Sequence, residues 1–214
     1  MYTTTRALVL RSVAYKESSR ILTVLTDSDG KLTVSAQGAM RKNSRVAPAV
    51  QPLVFSEMTL SKNRDRYALT EAHVIEQFAE LSLDLARFAL AAYFAELLET
   101  VSDEDSPSAE LLPLGLNALH ILAVGDKPVE LVKAAFELRL MCLAGFAPEV
   151  DELRADADTL AAIRYITSCD AKRLYAFELE KPKTLAKIAE SYVTAQLERG
   201  FGSLEYYKKF GENQ

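Results

Sequence analysis

Near residue 72 the hydrophobic pattern of this chain changes its period from two to 3.6, which confines it to a strand-built module followed by a helix-built one. Before the change, "TRALVLRSVAY" alternates Ala7 and Val9 against Leu8 and Leu10, with Val13 and Tyr15 following. "RILTVLTDSDGKLTVSAQG" places two apolar runs around "DSDG", a hairpin turn ending in Gly30. Leu53, Phe55 and Met58 mark a fourth strand in "LVFSEMTLSK", and after the turn "NRD" the segment "RYALTEAHVIE" supplies a fifth. Five short strands with a long loop between the third and fourth suit a Greek-key barrel of the OB-fold type.

Beyond the change, "LDLARFALAAYFAELLETV" (83–101) is apolar on nearly every face and is expected to be the central buried helix. Ser106-Pro107 then opens a helix running to about residue 124, with an irregularity near Pro113. Asp126 and Pro128 open a third, "VELVKAAFELRLMCLAGF", closed by Gly145 and Pro148. A further helix spans about 158–168. The last long one carries Leu185, Ile188, Ala189, Tyr192, Val193 and Leu197 as an apolar stripe and is capped by Gly200. The reading is an α+β fold: an N-terminal OB-fold β-barrel over residues 1–78, then an all-α helical domain over 79–214.

Charge divides along the same line. The formal net charge is −5, yet residues 1–70 carry eleven Lys/Arg against five Asp/Glu, and residues 71–130 two against twelve. An acidic total thus conceals a basic first third, as expected of a module that faces a polyanion. The long loop "GAMRKNSRVAPAV" (38–50) concentrates Arg41, Lys42 and Arg45 among turn formers. Such a run is either a solvated surface or a phosphate-binding one. No apolar run approaches the roughly 18 residues of a membrane span, and "MYTTTRALVL" lacks signal-peptide regions, so a cytoplasmic protein is expected. Cys142 and Cys169 have no CxxC spacing; they read as free thiols, the first buried, with neither a disulfide nor a metal site.

Catalytic signatures do not emerge. His73 and His120 have no ligand or triad partners at useful spacing, and neither a GxGxxG nor a GxxxxGK motif occurs. "GFGS" (200–203) follows a helix and reads as its cap. Asp103, Glu104 and Asp105 read as a solvated turn. A nuclease would need a carboxylate cluster in the basic module, but Glu17, Asp27, Asp29, Glu57 and Asp65 make no motif. In the third helix Glu130, Lys133 and Glu137 form a polar stripe with Arg139 roughly opposite it. Arg139 is therefore expected either to pair with Asp84 or Glu96, or to rim an apolar pocket that receives a carboxylate.

The chain resembles the RecO family of bacterial recombination mediators. The resemblance lies in "ALVLRSVAYKESSRILTVLTDSDGKLTVSAQGAMRKNSR", "QPLVFSEMTLSKNRDRYALTEAHVIEQF", "LVKAAFELRLMCLAGFAPEVD", "AIRYITSCDAKRLYAFEL" and "LERGFGSLEYYKKF", which cover most of the chain in family order. It implies a non-enzymatic, cofactor-free DNA repair protein that is nucleoid-associated. Such a protein binds single- and double-stranded DNA, anneals complementary strands, and acts with RecR and with the acidic C-terminal tail of single-stranded DNA-binding protein (SSB) to load RecA. Two departures stand out. Gln37, Met40 and Asn43 replace cations common in the family's basic loop, and no four-cysteine zinc module follows "PEVD", so no metal is expected.

DNA contact is accordingly assigned to Arg41, Lys42 and Arg45, supported by Arg64 and Arg66 on the next turn and by Arg11 and Arg20, with Arg6 and Lys62 behind them. Tyr15 and Tyr67 either stack on bases or belong to the core. Lys133 and Arg139 are the candidate basic rim for the SSB tail. The alternative is a scaffold that binds RecR and SSB with weak DNA affinity.

Overall fold

A computed structural model describes residues 2–64, 66–104 and 108–211. The strands β1 (Tyr2–Tyr15), β2 (Ser19–Thr26), β3 (Lys31–Ala36), β4 (Phe55–Asn63) and β5 (Arg66–Glu76) close into a barrel in the order β1-β2-β3-β5-β4. Every neighbouring pair is antiparallel except β3 and β5, which run parallel with Val34 opposite Tyr67. The barrel and its OB-like topology are those expected from the strand pattern.

β1 explains why "ALVL" is buried throughout. Ala7 and Val9 join Leu22, Val24, Leu32, Val34, Met58 and Leu60 inside the barrel. Leu8 and Leu10, on the other face, join the core of the helical module. A strand covered on both faces reads as a continuous apolar run rather than an alternating one. The β2–β3 hairpin closes where expected, with the Thr26 amide donating to Gly30 O at 2.9 Å and Gly30 at φ +70°.

Among the described residues six α-helices follow: α1 (Leu85–Val101), α2 (Leu111–Val124), α3 (Val129–Leu143), α4 (Ala157–Ser168), α5 (Pro182–Leu197) and α6 (Gly202–Gly211). Asp84 caps α1 by accepting the Ala86 and Arg87 amides, and Asp156 caps α4 through the Thr159 amide. As expected, α1 is central, with Leu90, Tyr93, Phe94 and Leu97 all buried. Gly115 of α2 lies so close to α1 that a Cβ there would stand 2.7 Å from Leu98 Cδ1. The barrel is fastened to α1 by Arg11, whose guanidinium reaches Glu99 at 2.8 Å, and by Lys31 Nζ, which donates to Glu99 O at 2.8 Å.

Three details depart from the sequence reading. Pro113 causes no irregularity, because it falls in the first turn of α2, where a missing N–H leaves no hydrogen bond unmade; the proposed Ser106-Pro107 start lies outside the described residues. Cys142 is half-buried rather than buried. "GFGS" does not cap α5. Glu198, at φ +50°, takes the cap position, and Gly202 begins α6. The physical reason is Phe201, which is buried edge-on against Tyr93 at 5.5 Å between centroids and anchors a new helix behind it.

Candidate nucleic-acid interface

On the outer face of β2 and β3 the barrel carries an open groove of about 730 Å³. Ile21, Thr33 and Ser35 lie along its floor, since these positions alternate with the interior residues Leu22, Leu32 and Val34. The end of β1 and the turn after it contribute Tyr15 and Lys16, and the strand ends flanking the β4–β5 turn contribute Asn63, Arg66 and Tyr67. The Tyr15 ring and two cations thus face a floor of small polar side chains, while Tyr67 lines the groove and also packs against the barrel core. Tyr15 is 48% exposed, which leaves its ring open to a ligand. Lys16 lies 5.3 Å from the Tyr15 ring centroid, and Lys62 lies 4.8 Å from that of Tyr67 with its ammonium 2.7 Å from the phenol oxygen.

The basic loop begins beside this groove. Gln37 lines it, the Met40 amide donates to Ser18 O at 3.0 Å in the β1–β2 turn, and the Gly38 amide donates to Ser19 Oγ. Arg41 folds back over Gly38, whose Cβ would stand 3.4 Å from the Arg41 side chain. Lys42 and Arg45 are exposed farther along the loop, and Arg64 is exposed in the β4–β5 turn. Among the described residues, no side-chain partner is formed by Arg41, Lys42, Arg45, Arg64 or Arg66.

The remaining cations of the barrel are engaged elsewhere. Arg6 Nε sits 2.9 Å from Asp27, whose carboxyl is raised by partial burial but held below the usual range overall by Thr5 and Arg6. Arg11 is committed to Glu99 and Thr23 at the junction with α1, away from the groove. Arg20 shares the parity of interior Leu22 and Val24, donates to Ser12 Oγ at 3.0 Å, and does not line the groove. Sequence reasoning missed Lys16, Gln37, Thr33 and Ser35. The available signal was that both short turns, "YKESS" and "KNRDRY", set a tyrosine beside at least one cation.

In the helical module two members of the polar stripe on α3, Lys133 and Glu137, are buried, and Glu130 is partly exposed. Lys133 and Glu137 are 2% and 0% exposed and 2.8 Å apart, which removes Lys133 as a rim residue for any partner. The reason is that α3 turns this stripe toward α1 and α5, where Tyr93 Oη donates to Glu137 at 2.7 Å and Glu190 meets Lys133 at 3.0 Å. Lys208 of α6 closes the network on Glu190 at 2.6 Å. Burial, only partly offset by Lys133 and by the Tyr93 hydroxyl, pushes the Glu137 carboxyl up to about 7. Glu190 is also raised by burial, yet Lys208 and Lys133 outweigh this and hold it below the usual range.

Arg139 forms neither expected ion pair. Asp84 is engaged with Arg87 and the α1 cap, Glu96 with Arg199 and Ser203, and Arg139 donates to Thr167 O at 3.2 Å. An apolar groove with a basic rim does exist elsewhere: Leu153, Ile188 and Tyr192 line about 410 Å³ beside Arg154 and Lys187. Among the described residues no group of three or more His, Cys, Asp or Glu is arranged to hold a metal ion, and no helix is long and apolar enough to cross a membrane. Asp65 and Asp105 lie outside the described residues.

A five-stranded barrel of this order, with a groove on the β2–β3 face bordered by the β1–β2 and β4–β5 turns, has the architecture of the OB class of oligonucleotide-binding modules. Residues 1–78 match the family described as Recombination protein O N terminal, and residues 82–153 that described as Recombination protein O C terminal. The chain is 28% identical over 243 aligned positions to DNA repair protein RecO of Acetivibrio thermocellus, spanning 97% of this chain and 96% of that relative. It is 40% identical over 144 positions to the RecO of Desulforamulus reducens (67% of this chain, 56% of the relative) and 40% over 145 to that of Heliobacterium modesticaldum (68% and 52%). These two matches thus span little more than half of each relative's length. The chain belongs to the RecO family.

Proposed function

We propose that this chain is a DNA repair protein that binds single- and double-stranded DNA through the barrel groove and anneals complementary strands, with no bond made or broken. The observation that carries this reading is the placing of Tyr15 and Lys16 with Arg66 and Tyr67 around the groove, with Arg41, which has no side-chain partner among the described residues, in the loop beside it. Stacked rings hold bases without reading sequence, and cations neutralise phosphates and release counterions. A basic surface that lowers the repulsion between two backbones, while leaving base edges free, favours their pairing.

The acidic, aromatic-ended tail of SSB fits the Leu153, Ile188 and Tyr192 groove, where Arg154 and Lys187 offer the carboxylate partners that buried Lys133 cannot. Action with RecR in loading RecA, and residence at the nucleoid in the cytoplasm, complete the proposal on the strength of family membership.

Stopped-flow fluorescence with two complementary labelled oligonucleotides tests the central step. Wild-type protein is expected to accelerate duplex formation, and the Lys16→Glu, Arg66→Glu variant to lose the acceleration while staying folded. A variant that anneals like wild type would remove the groove from the mechanism. Binding of the SSB tail peptide without any DNA binding would favour the scaffold reading instead, for which the diversion of Arg6 and Arg11 to carboxylates is the structural support.

A further inference from the structure

Large apolar side chains are exposed where α1 begins and α2 ends: Leu83 is 86% exposed, Leu85 56%, Phe88 42% and Val124 60%. They belong to one neighbourhood. Leu83 ends the 3-10 turn Ala79–Leu83, which packs against both helices, and Arg87 Nη1 donates to Leu122 O at 2.8 Å, holding the first turn of α1 against the last turn of α2. An apolar ridge of this kind on a folded surface marks an interaction site.

The charge around it selects the occupant. Glu76, Glu80 and Asp126 are exposed nearby. In the two segments that form the ridge, residues 76–88 and 122–127, the carboxylates Glu76, Glu80, Asp84 and Asp126 outnumber the cations Arg87 and Lys127. Arg87 is already engaged by Asp84 at 3.4 Å and by the Leu122 carbonyl. Such a surface repels nucleic acid and attracts cations.

We propose that this acidic-framed ridge docks a protein partner presenting apolar side chains framed by Lys or Arg. This goes beyond the DNA-binding reading and does not depend on it. The two poles, a cationic groove on the barrel and an anionic apolar ridge on the helices, let the chain hold a strand and a basic protein surface at once.

The test uses a fluorescein-labelled amphipathic helical peptide with leucine on one face and lysine on the other, and its counterpart with glutamate in place of lysine, titrated into the full chain. The lysine peptide is expected to bind saturably and the glutamate peptide not to bind. Leu83→Ser with Phe88→Ser is expected to weaken the lysine peptide at least about tenfold, since both side chains act as exposed apolar anchors, while oligonucleotide binding and the circular dichroism spectrum stay as in wild type. Glu80→Lys is expected to weaken the peptide as well. No binding, equal binding of both peptides, or a double variant that binds like wild type would overturn the proposal. So would a wild-type dimer in sedimentation that the double variant abolishes, which would assign the ridge to a second copy of the chain.

Discussion

Lys133 Nζ lies 2.8 Å from Glu137 Oε1, one turn along α3, and neither side chain reaches solvent. Above about pH 7, where the Glu137 carboxyl is ionised, breaking such a pair leaves an uncompensated buried charge, so Lys133→Met is expected to cost about 3–5 kcal/mol in urea unfolding there. Lys133→Met with Glu137→Gln should recover part of that loss, because the orphaned carboxylate is then gone. A single-variant cost below about 1 kcal/mol, the range of exposed pairs, would contradict the buried assignment.

The same pair gives stability a pH dependence of definite sign. Glu137 is pushed from its ordinary 4.5 up to about 7, so between those values the folded chain holds a proton that the unfolded chain has released. Its contribution is complete below about 4.5 and is lost as pH rises through about 7. Glu190 and Asp27, held below the usual range, act in the opposite sense at lower pH. Unfolding free energy should thus fall by about 1–3 kcal/mol between pH 5 and pH 7.5, and Glu137→Gln should flatten the fall. An equal fall in the variant would assign it to other groups.

Much of the fold was legible because each barrel strand carries its own signal. An apolar run marks β2, alternation marks β3, "DSDG" marks their turn, and β1 announces its double burial in four consecutive apolar residues. Periodicity located the Glu130, Lys133 and Glu137 stripe but did not show that Lys133, expected at a binding rim, is buried with Glu137. Charged side chains on one face of a helix ordinarily face water, and only the arrival of Tyr93 and Glu190 from distant elements makes burial affordable. α6 was missed because two glycines flank Phe201, and a sequence window cannot see that this phenyl ring anchors on Tyr93. Within the groove, Lys16, Thr33 and Ser35 resemble any exposed polar surface until the barrel closes and sets the two turns beside it.

Charge alone does not decide which arginines serve the groove, since Arg11 and Arg66 are equally cationic. Arg11 is spent on Glu99, so Arg11→Ala is expected to cost under about 1 kcal/mol of stability and to leave oligonucleotide affinity nearly unchanged. Arg66→Ala is expected to do the reverse, weakening DNA binding with little effect on stability. Equal losses of affinity, measured by fluorescence anisotropy at fixed salt, would mean that paired and unpaired cations contribute alike.

Tyr15 is half exposed in the groove, and a stacked base on it is expected to be worth about 1–3 kcal/mol. Tyr15→Ala should lose that much affinity for oligothymidine, and Tyr15→Phe should keep it. An alanine variant that binds like wild type would show that bases do not stack there.

The most direct test of the groove is the salt dependence of single-strand binding, measured by anisotropy for the wild type and for Arg41→Gln with Arg66→Gln. The wild type should show log Kobs falling linearly with log salt, by about 0.7 for each phosphate contact, and the double variant should lose both affinity and about 1.4 from the slope's magnitude. A wild-type slope near zero, or a variant with an unchanged slope, would contradict phosphate binding at this face of the barrel.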